Sequence, residues 1–242
     1  MKSHELILAL GELSNPSTQP EEYARVAAIL SKDLAEQAIS KGALTLQGIH
    51  AVAAVADYEL VLEPSIKVLR DNDYRVVVSC IWPISDILVK GTVDRTTISM
   101  SLSEKGAHNM PQLVVMAQSI ATITEIEAIL AHVLFDRGPT TYESIVVSSL
   151  VSHMDAERHL EGVLPENYRG KLRLFDHRKD HELSMDGILS PGVGGSPLNR
   201  AGFRSSADSR SFVPAVFRDK YDFTKRPKPG STPKPPTPAP MR

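Results

Sequence analysis

The chain has 242 residues, with 27 Lys and Arg, 29 Asp and Glu, and a single cysteine. A composition that is 42% hydrophobic and 23% charged is typical of a globular protein, which excludes wholesale disorder and fibrous repeats. No apolar stretch approaches the roughly 18 residues of a membrane span, so no membrane partner is expected. One cysteine, Cys80, suits a reducing, cytoplasmic location.

Charge and proline divide the chain into two parts. Residues 1–182 hold 17 basic and 25 acidic residues, a net charge of −8, whereas residues 183–242 hold 10 basic and 4 acidic residues, a net charge of +6. The second part also contains 10 of the 17 prolines. Because proline is excluded from helix interiors and central strands, we predict a globular domain over residues 1–182 and an extended, basic, proline-rich arm over residues 183–242.

The first third of the chain has the pattern of helices. Ser3 is suited to cap a short helix, and a second helix begins at Pro20, a residue favoured at the first helical position. Its apolar residues recur at i, i+3, i+4 and i+7, and Gly42 is a suitable stop. Thr45 is suited to cap a third, alanine-rich helix that extends to Ala56.

The middle of the chain changes to strand patterns, and helices then return. Residues 74–82, 87–93 and 97–103 predict strands, and residues 172–174 predict a last short one. Thr124-x-x-Glu127 and Thr140-x-x-Glu143 have the capping-box spacing, and an apolar run follows each of them. The predicted fold class is therefore α+β and mainly helical, a compact body with a few short strands followed by the extended arm.

No motif in the body predicts a catalytic residue, a metal site or a cofactor. His177 and His181 have the spacing of a metal pair on a helix, but no glutamate follows the first histidine as zinc proteases require. A charged hinge is the preferred interpretation of that segment. Cys80 lies in an apolar strand without a neighbouring base, which predicts a buried structural thiol.

The predicted arm is rich in aromatic residues that alternate with basic ones. Burial of one phenylalanine contributes roughly 1.5–3 kcal/mol, and aromatic side chains beside arginine are typical of interface hot spots. The predicted partner-binding residues are Phe203, Phe212, Phe217, Arg218, Lys220, Tyr221, Phe223, Lys225 and Arg226.

These features lead to one main hypothesis and two alternatives. The main hypothesis is a non-enzymatic structural protein that self-assembles as a homo-oligomer, or binds other protein subunits, through the arm. Its layout is similar to that of coat and nucleocapsid proteins, by analogy only. The first alternative is a nucleic-acid-binding protein, because basic groups neutralise phosphates while rings stack on bases, as in RNA-binding proteins. The second is an enzyme whose site is assembled from distant positions in the body.

Overall fold

The structure is a computed structural model that describes residues 2–45, 48–86, 95–136 and 142–218. Its centre is a sheet in the strand order β3-β2-β1-β4-β5-β6. All neighbouring strands are parallel except β2 and β3, which are antiparallel. The strands are β1 (Gly48–Ala54), β2 (Arg75–Asp86), β3 (Arg95–Ser103), β4 (Gln112–Ile120), β5 (Ser144–His153) and β6 (Leu172–Asp180).

Helices connect the strands and cover the sheet. The helices of the body are α1 (Lys2–Ser14), α2 (Pro20–Ser40), α3 (Val55–Asp57), α4 (Glu63–Asp71), α5 (Thr124–Asp136) and α6 (Ala156–Val163). A π-helical turn, Tyr58–Leu62, joins α3 to α4, and 3-10 turns lie at Ala107–Asn109 and Glu166–Tyr168. Within the described ranges, no helix is long and apolar enough to cross a membrane.

The two faces of the sheet bury different helices. Along β1, Ile49, Ala51 and Ala53 belong to a core cluster shared with α2 and α4. Val52 and Ala54 point the other way, into a second cluster shared with α5 and α6. This alternation follows from the strand period of two. The body is therefore a three-layer, doubly wound α/β domain.

The prediction of a mainly helical α+β body with a few short strands is wrong. Residues 45–56, predicted as a helix, contain β1, and the described part of the helix predicted after Thr140 is β5; Thr140 itself lies outside the described residues. Six of the seven β1 residues are buried. A strand covered on both faces is a continuous apolar run without a period of two, so it cannot be told from a buried helix by pattern.

Most of the other predicted helices and strands agree with the structure. The helices predicted at Ser3, Pro20 and Thr124 are confirmed as α1, α2 and α5, and α2 ends before Gly42, which has a left-handed φ of 63°. The strands predicted over residues 74–82, 97–103 and 172–174 are confirmed within β2, β3 and β6. The strand predicted for residues 87–93 lies outside the described residues.

The described part of the predicted arm, residues 183–218, lies against the body. It contains an antiparallel hairpin and three short helices, and its side chains at Leu189, Val193 and Phe217 are buried. The elements are β7 (Glu182–Leu183), β8 (Leu189–Ser190), α7 (Pro197–Arg200), α8 (Ser206–Ser211) and α9 (Ala215–Arg218). The division of the chain at residue 182 stays a prediction.

Candidate active site

The strand order places a crevice at the carboxyl ends of β1 and β4. From β1 the chain moves to β2 on one side, whereas β4 continues to β5 and β6 on the other. In open α/β sheets, ligands bind at such a switch point, outside the carboxyl ends of the strands. Here β1 ends at Ala54 and runs into α3, and β4 ends at Ile120, four residues before α5 begins.

Asp57 occupies the end of α3, directly behind β1, and is buried. Its Oδ1 accepts hydrogen bonds from the backbone N of Gln118 at 3.1 Å and from the Nε2 of Gln118 at 2.9 Å. Burial raises the pKa of Asp57 to about 6, and the two hydrogen bonds from Gln118 oppose this rise. At neutral pH the Asp57 carboxyl is therefore mostly ionised, although it lies inside the protein.

Gln118 holds Asp57 in place and is itself held from several sides. Its Oε1 accepts a hydrogen bond from the hydroxyl of Tyr23 at 2.7 Å. Its Nε2 also contacts the carbonyl oxygens of Ala56 at 3.1 Å and Pro197 at 3.3 Å. A fully bonded, buried amide fixes the side chains around it, so Gln118 positions the Asp57 carboxylate against the cleft.

Glu125 supplies a second carboxyl group from the other side of the cleft. It is the second residue of α5 and is half-buried. Burial raises the pKa of Glu125 to about 8, and the negative charge of Asp57 adds to the rise. At neutral pH Glu125 is therefore mostly protonated beside an Asp57 that is mostly ionised.

Two adjoining cavities of about 300 Å³ and 180 Å³ form the cleft. They share Ser85, Ser119, Glu125 and Pro197 in their walls, and Asp57 lines the larger one. Among the described residues, no lysine or arginine lines either cavity. The walls are thus rich in hydroxyl and carboxyl groups and poor in cations.

The roof of the cleft comes from the predicted arm. Pro197 and Ser209 line the larger cavity, and the Nε1 of Trp82 donates a hydrogen bond to the carbonyl of Ser209 at 2.9 Å. Arg200 lies over the ring of Tyr23, 4.1 Å from its centroid, and donates to carbonyls in the turn before α2. Residues far apart in the sequence therefore close the cleft together.

The predicted partner-binding residues are only partly described. Phe217 is completely buried in its own chain and its ring lies 5.9 Å from that of Tyr58. Phe203 and Phe212 contact each other edge-on at 5.4 Å, and Arg218 is exposed. The other predicted partner-binding residues, Lys220, Tyr221, Phe223, Lys225 and Arg226, lie outside the described residues. The role of this set in binding a partner stays a prediction.

The structure also shows the positions of His177 and Cys80, the side chains that the sequence analysis considers for a metal site and for a reactive thiol. His177 lies in β6, not on a helix, and its Nε2 contacts the carbonyl of Leu30 at 2.9 Å. Within the described residues, no group of three or more His, Cys, Asp or Glu side chains is placed to hold a metal ion. Cys80 is buried, as predicted, and burial raises the pKa of its thiol far above the ordinary value.

Sequence patterns did not identify Asp57, Gln118 or Glu125 as site residues. The apolar run before Asp57 has the pattern of a helix, so the sequence does not place Asp57 at the end of a strand. Glu125 directly follows the predicted helix cap Thr124, and acidic residues are common at a helix start, so its presence there does not indicate a site. The usable signal is a polar residue that directly follows each buried run, at Asp57 and at Gln118.

Comparisons with known proteins find similarity only at the level of structure. The sequence matches no family model and no curated protein sequence. A hypoxanthine phosphoribosyltransferase from Staphylococcus aureus is similar with a TM-score of 0.45 and 12% identity, over 65% of this chain and 74% of that chain. The hypoxanthine-guanine phosphoribosyl transferase of L. donovani gives 0.40 and 10%, over 72% and 88%. The protein TT1426 from Thermus thermophilus gives 0.39 and 12%, over 65% and 85%. At this level of similarity no substrate and no residue role is transferred to this chain.

The main functional hypothesis, a non-enzymatic, capsid-like assembly protein, is wrong. The chain folds as a doubly wound α/β domain with a carboxyl-lined cleft at its switch point, which is where such folds bind ligands. Phe217, a predicted anchor for a partner, is buried in its own chain. The alternative of an enzyme whose site lies in the body agrees better with these findings.

Proposed function

We propose that this chain is an enzyme that breaks or transfers a glycosidic bond of a small, hydroxyl-rich substrate bound in the cleft. The observation that carries the proposal is the pair of carboxyl groups at the switch point, Asp57 and Glu125. Their pKa values, about 6 and about 8, lie on opposite sides of neutrality. Two carboxyl groups whose surroundings separate their pKa values can divide the roles of base and acid between them.

Each carboxyl group has a defined task in this reaction. The glycosidic bond breaks with its electron pair moving to the leaving-group atom, which takes the proton of Glu125. The carboxylate of Asp57 stabilises the positive charge that develops on the sugar and accepts the proton of the attacking hydroxyl or water. Gln118 keeps the Asp57 carboxylate in place through two hydrogen bonds to Oδ1.

The walls of the cleft support a neutral sugar over a phosphorylated one. Hydroxyl groups of serine and threonine can donate and accept hydrogen bonds, which matches the hydroxyl groups of a sugar. A phosphate would meet carboxyl groups without a lysine or arginine from the described lining to balance its charge. The hydroxyl-bearing residues are Ser85, Ser119, Thr122, Thr124, Ser196 and Ser209.

The test compares two kinds of substrate with two substitutions. The full-length protein is incubated with a panel of p-nitrophenyl glycosides and with the matching methyl glycosides. p-Nitrophenol leaves without help from an acid, whereas methanol needs a proton. Glu125→Gln should therefore lower the rate about a hundredfold or more for methyl glycosides, with a much smaller loss for the p-nitrophenyl compounds. Asp57→Asn should lower both rates by about a hundredfold.

Glu127→Gln is the matched control, because Glu127 lies two residues further along α5 and is exposed. Its rates should equal those of the unchanged protein. The proposal fails if no sugar of either panel is cleaved, or if cleavage survives both cleft substitutions at the original rate.

Partners and location remain separate proposals. Self-association and nucleic-acid binding through the basic arm stay predictions. An intracellular location rests on cysteine usage, because the single Cys80 is buried and free, as is common in reducing compartments.

A further inference from the structure

A second cavity of about 270 Å³ lies on the α5 side of the sheet, beside the start of β1. It shares no lining residue with the cleft of Asp57 and Glu125. Three imidazoles and four hydroxyl groups make up most of its wall: His50, His108, His132, Ser79, Ser101, Ser103 and Tyr142.

The polar residues of this wall lie on a face of β1 and β2 whose other residues are apolar. On the same face, β1 continues with Val52 and Ala54, and β2 continues with Ile81, all within the core under α5. Ser79 and Ser103 face each other across β2 and β3, so two neighbouring strands bring hydroxyl groups to one spot. Apolar residues at these positions would extend the core, so the fold alone does not require the polar group.

A chain of hydrogen bonds fixes the buried part of the wall. The hydroxyl of Tyr142 lies 2.7 Å from Nδ1 of His50, and Nε2 of His50 lies 2.6 Å from Oγ of Ser79. Ser79 in turn donates to Oγ of Ser103 at 2.7 Å. Because the Ser79 proton is used toward Ser103, His50 carries its proton on Nε2 and accepts at Nδ1 from Tyr142. The chain begins at buried Tyr142 and ends at exposed Ser103.

We propose that this cavity binds a small oxyanion, a phosphate or a carboxylate. Its lining contains hydroxyl and imidazole groups. Among the described residues, no Asp or Glu lines the cavity, so no carboxylate there would repel an anion. His108 is exposed and His132 half-buried, so imidazole N–H groups can donate hydrogen bonds to an anion at the mouth. A metal ion fits less well, since no group of three or more potential ligands is placed for one in the described chain.

The size of the cavity limits the ligand. Sites for drug-sized ligands measure about 300–1,000 Å³, and this cavity lies just below that range. A single phosphate or carboxylate group with a few further atoms is therefore the class that fits. The protons of Tyr142 and Ser79 are used within the hydrogen-bond chain, so the Ser101 hydroxyl and the imidazole N–H groups of His108 and His132 would be the donors to its oxygens.

The test titrates the full-length protein with inorganic phosphate and, in a second arm, with acetate, at constant ionic strength. The readout is the ¹H–¹⁵N spectrum of the imidazole groups at constant pH. We expect saturable shifts of the His108 and His132 signals with a dissociation constant in the millimolar range. The double variant His108→Gln, His132→Gln should weaken binding at least about tenfold, and that loss corresponds to about 1.4 kcal/mol.

Two further variants keep the test decisive. His181→Gln removes an exposed imidazole outside the cavity and should bind like the unchanged protein. Ser101→Val retains a residue suited to a strand and should weaken binding without removing a histidine. Saturation by phosphate alone identifies a phosphate site, and saturation by acetate alone identifies a carboxylate site. Shifts that never saturate with either probe, or an equal loss of affinity with His181→Gln, would overturn the proposal.

Discussion

At the scale of single residues, the proposed chemistry of the cleft depends on the buried carboxylate of Asp57, and burying its charge costs free energy of folding. Asp57 is 5% exposed, and its only described donors are the two nitrogens of Gln118, both directed at Oδ1. A buried carboxyl group prefers its neutral form, so its pKa rises above the ordinary value. The fold therefore tolerates the charge of Asp57 without gaining stability from it, as is common for groups that serve chemistry.

Asp57→Asn should change how stability depends on pH. Because the pKa of Asp57 is raised to about 6 in the folded state, its contribution to stability is fully present below its unfolded value and is lost as the pH rises through about 6. This loss amounts to about 3 kcal/mol at most. Asparagine does not titrate. The free energy of unfolding of the variant, relative to that of the unchanged protein, should therefore increase as the pH rises from about 4 to about 7. Urea unfolding across this range measures the difference.

The comparison between variant and unchanged protein cancels the titration of the groups that do not interact with Asp57. Glu125 loses the repulsion of the Asp57 charge in the variant, so its raised pKa falls and adds to the expected difference in the same direction. Asp71→Asn, at an exposed position on the end of α4, makes the same exchange of a carboxyl for an amide group outside the cleft and serves as the control. A difference that falls with rising pH for Asp57→Asn would mean that the folded state favours the charged carboxylate, and the raised pKa of Asp57 would be refuted.

At the scale of elements, the sequence predicts helices and half-exposed strands well and buried parallel strands poorly. The capping box at Thr124 and the alternation in residues 97–103 are local signals, and both elements are confirmed as α5 and β3. β5 is different, because eight of its ten residues are buried and the run SIVVSSLVSH has no alternation of apolar and polar residues. Its pairing with β4 and β6 defines it as a strand, and local sequence patterns do not predict which strands pair.

The same limit explains why no residue of the candidate active site could be predicted. Asp57 and Gln118 are 61 positions apart, and they meet because β1 and β4 are adjacent in the sheet. A sequence analysis that predicts a helix in place of β1 cannot place β1 beside β4, so it cannot bring Asp57 close to Gln118. Contacts over such separations follow from strand order, whereas capping and periodicity extend over only a few residues.

The loop after β8 offers a test of local backbone geometry. Gly192 has a φ of 51°, and its N donates to the Oδ2 of Asp180 at 2.9 Å. A Cβ at Gly192 would collide with the carbonyl oxygen of Leu189. Gly192→Ala should therefore destabilise the protein by about 2–4 kcal/mol, from backbone strain and overpacking together. Chemical unfolding of both proteins measures the loss.

Gly202→Ala is the matched control for this experiment. Gly202 also has a left-handed φ, 85°, but a Cβ there would meet no atom within 4 Å. It should cost only the backbone strain, about 1–2 kcal/mol. Equal losses for the two variants would show that the collision with Leu189 is relieved by a shift of the loop.

At the scale of the whole molecule, the acidic body and the first part of the basic segment form one packed structure. Arg178 of β6 joins three parts of the chain: it pairs with Asp180 at 2.8 Å and donates to Ser14 of α1 and to the carbonyl of Gly192, each at 2.6 Å. Trp82 and Phe217 add buried contacts further along the segment. Composition divides the chain at residue 182, whereas these contacts cross that position several times.

The last prediction concerns where the folded unit ends. A chain that stops after Arg218 keeps the buried ring of Phe217, the hydrogen bond from Trp82 to Ser209 and the roof of the cleft. A chain that stops after Glu182 loses all three, and the Phe217 ring alone contributes about 1.5–3 kcal/mol by its burial. We expect residues 1–182 to unfold in urea at a clearly lower midpoint than residues 1–218. Phe217→Ala in the full-length chain should lower stability by about 3–5 kcal/mol, while Phe135→Ala, at a 79% exposed position, should leave it nearly unchanged. If residues 1–182 prove as stable as residues 1–218, the boundary that charge and proline predict is the true one, and the segment that follows is an arm that only rests on the body.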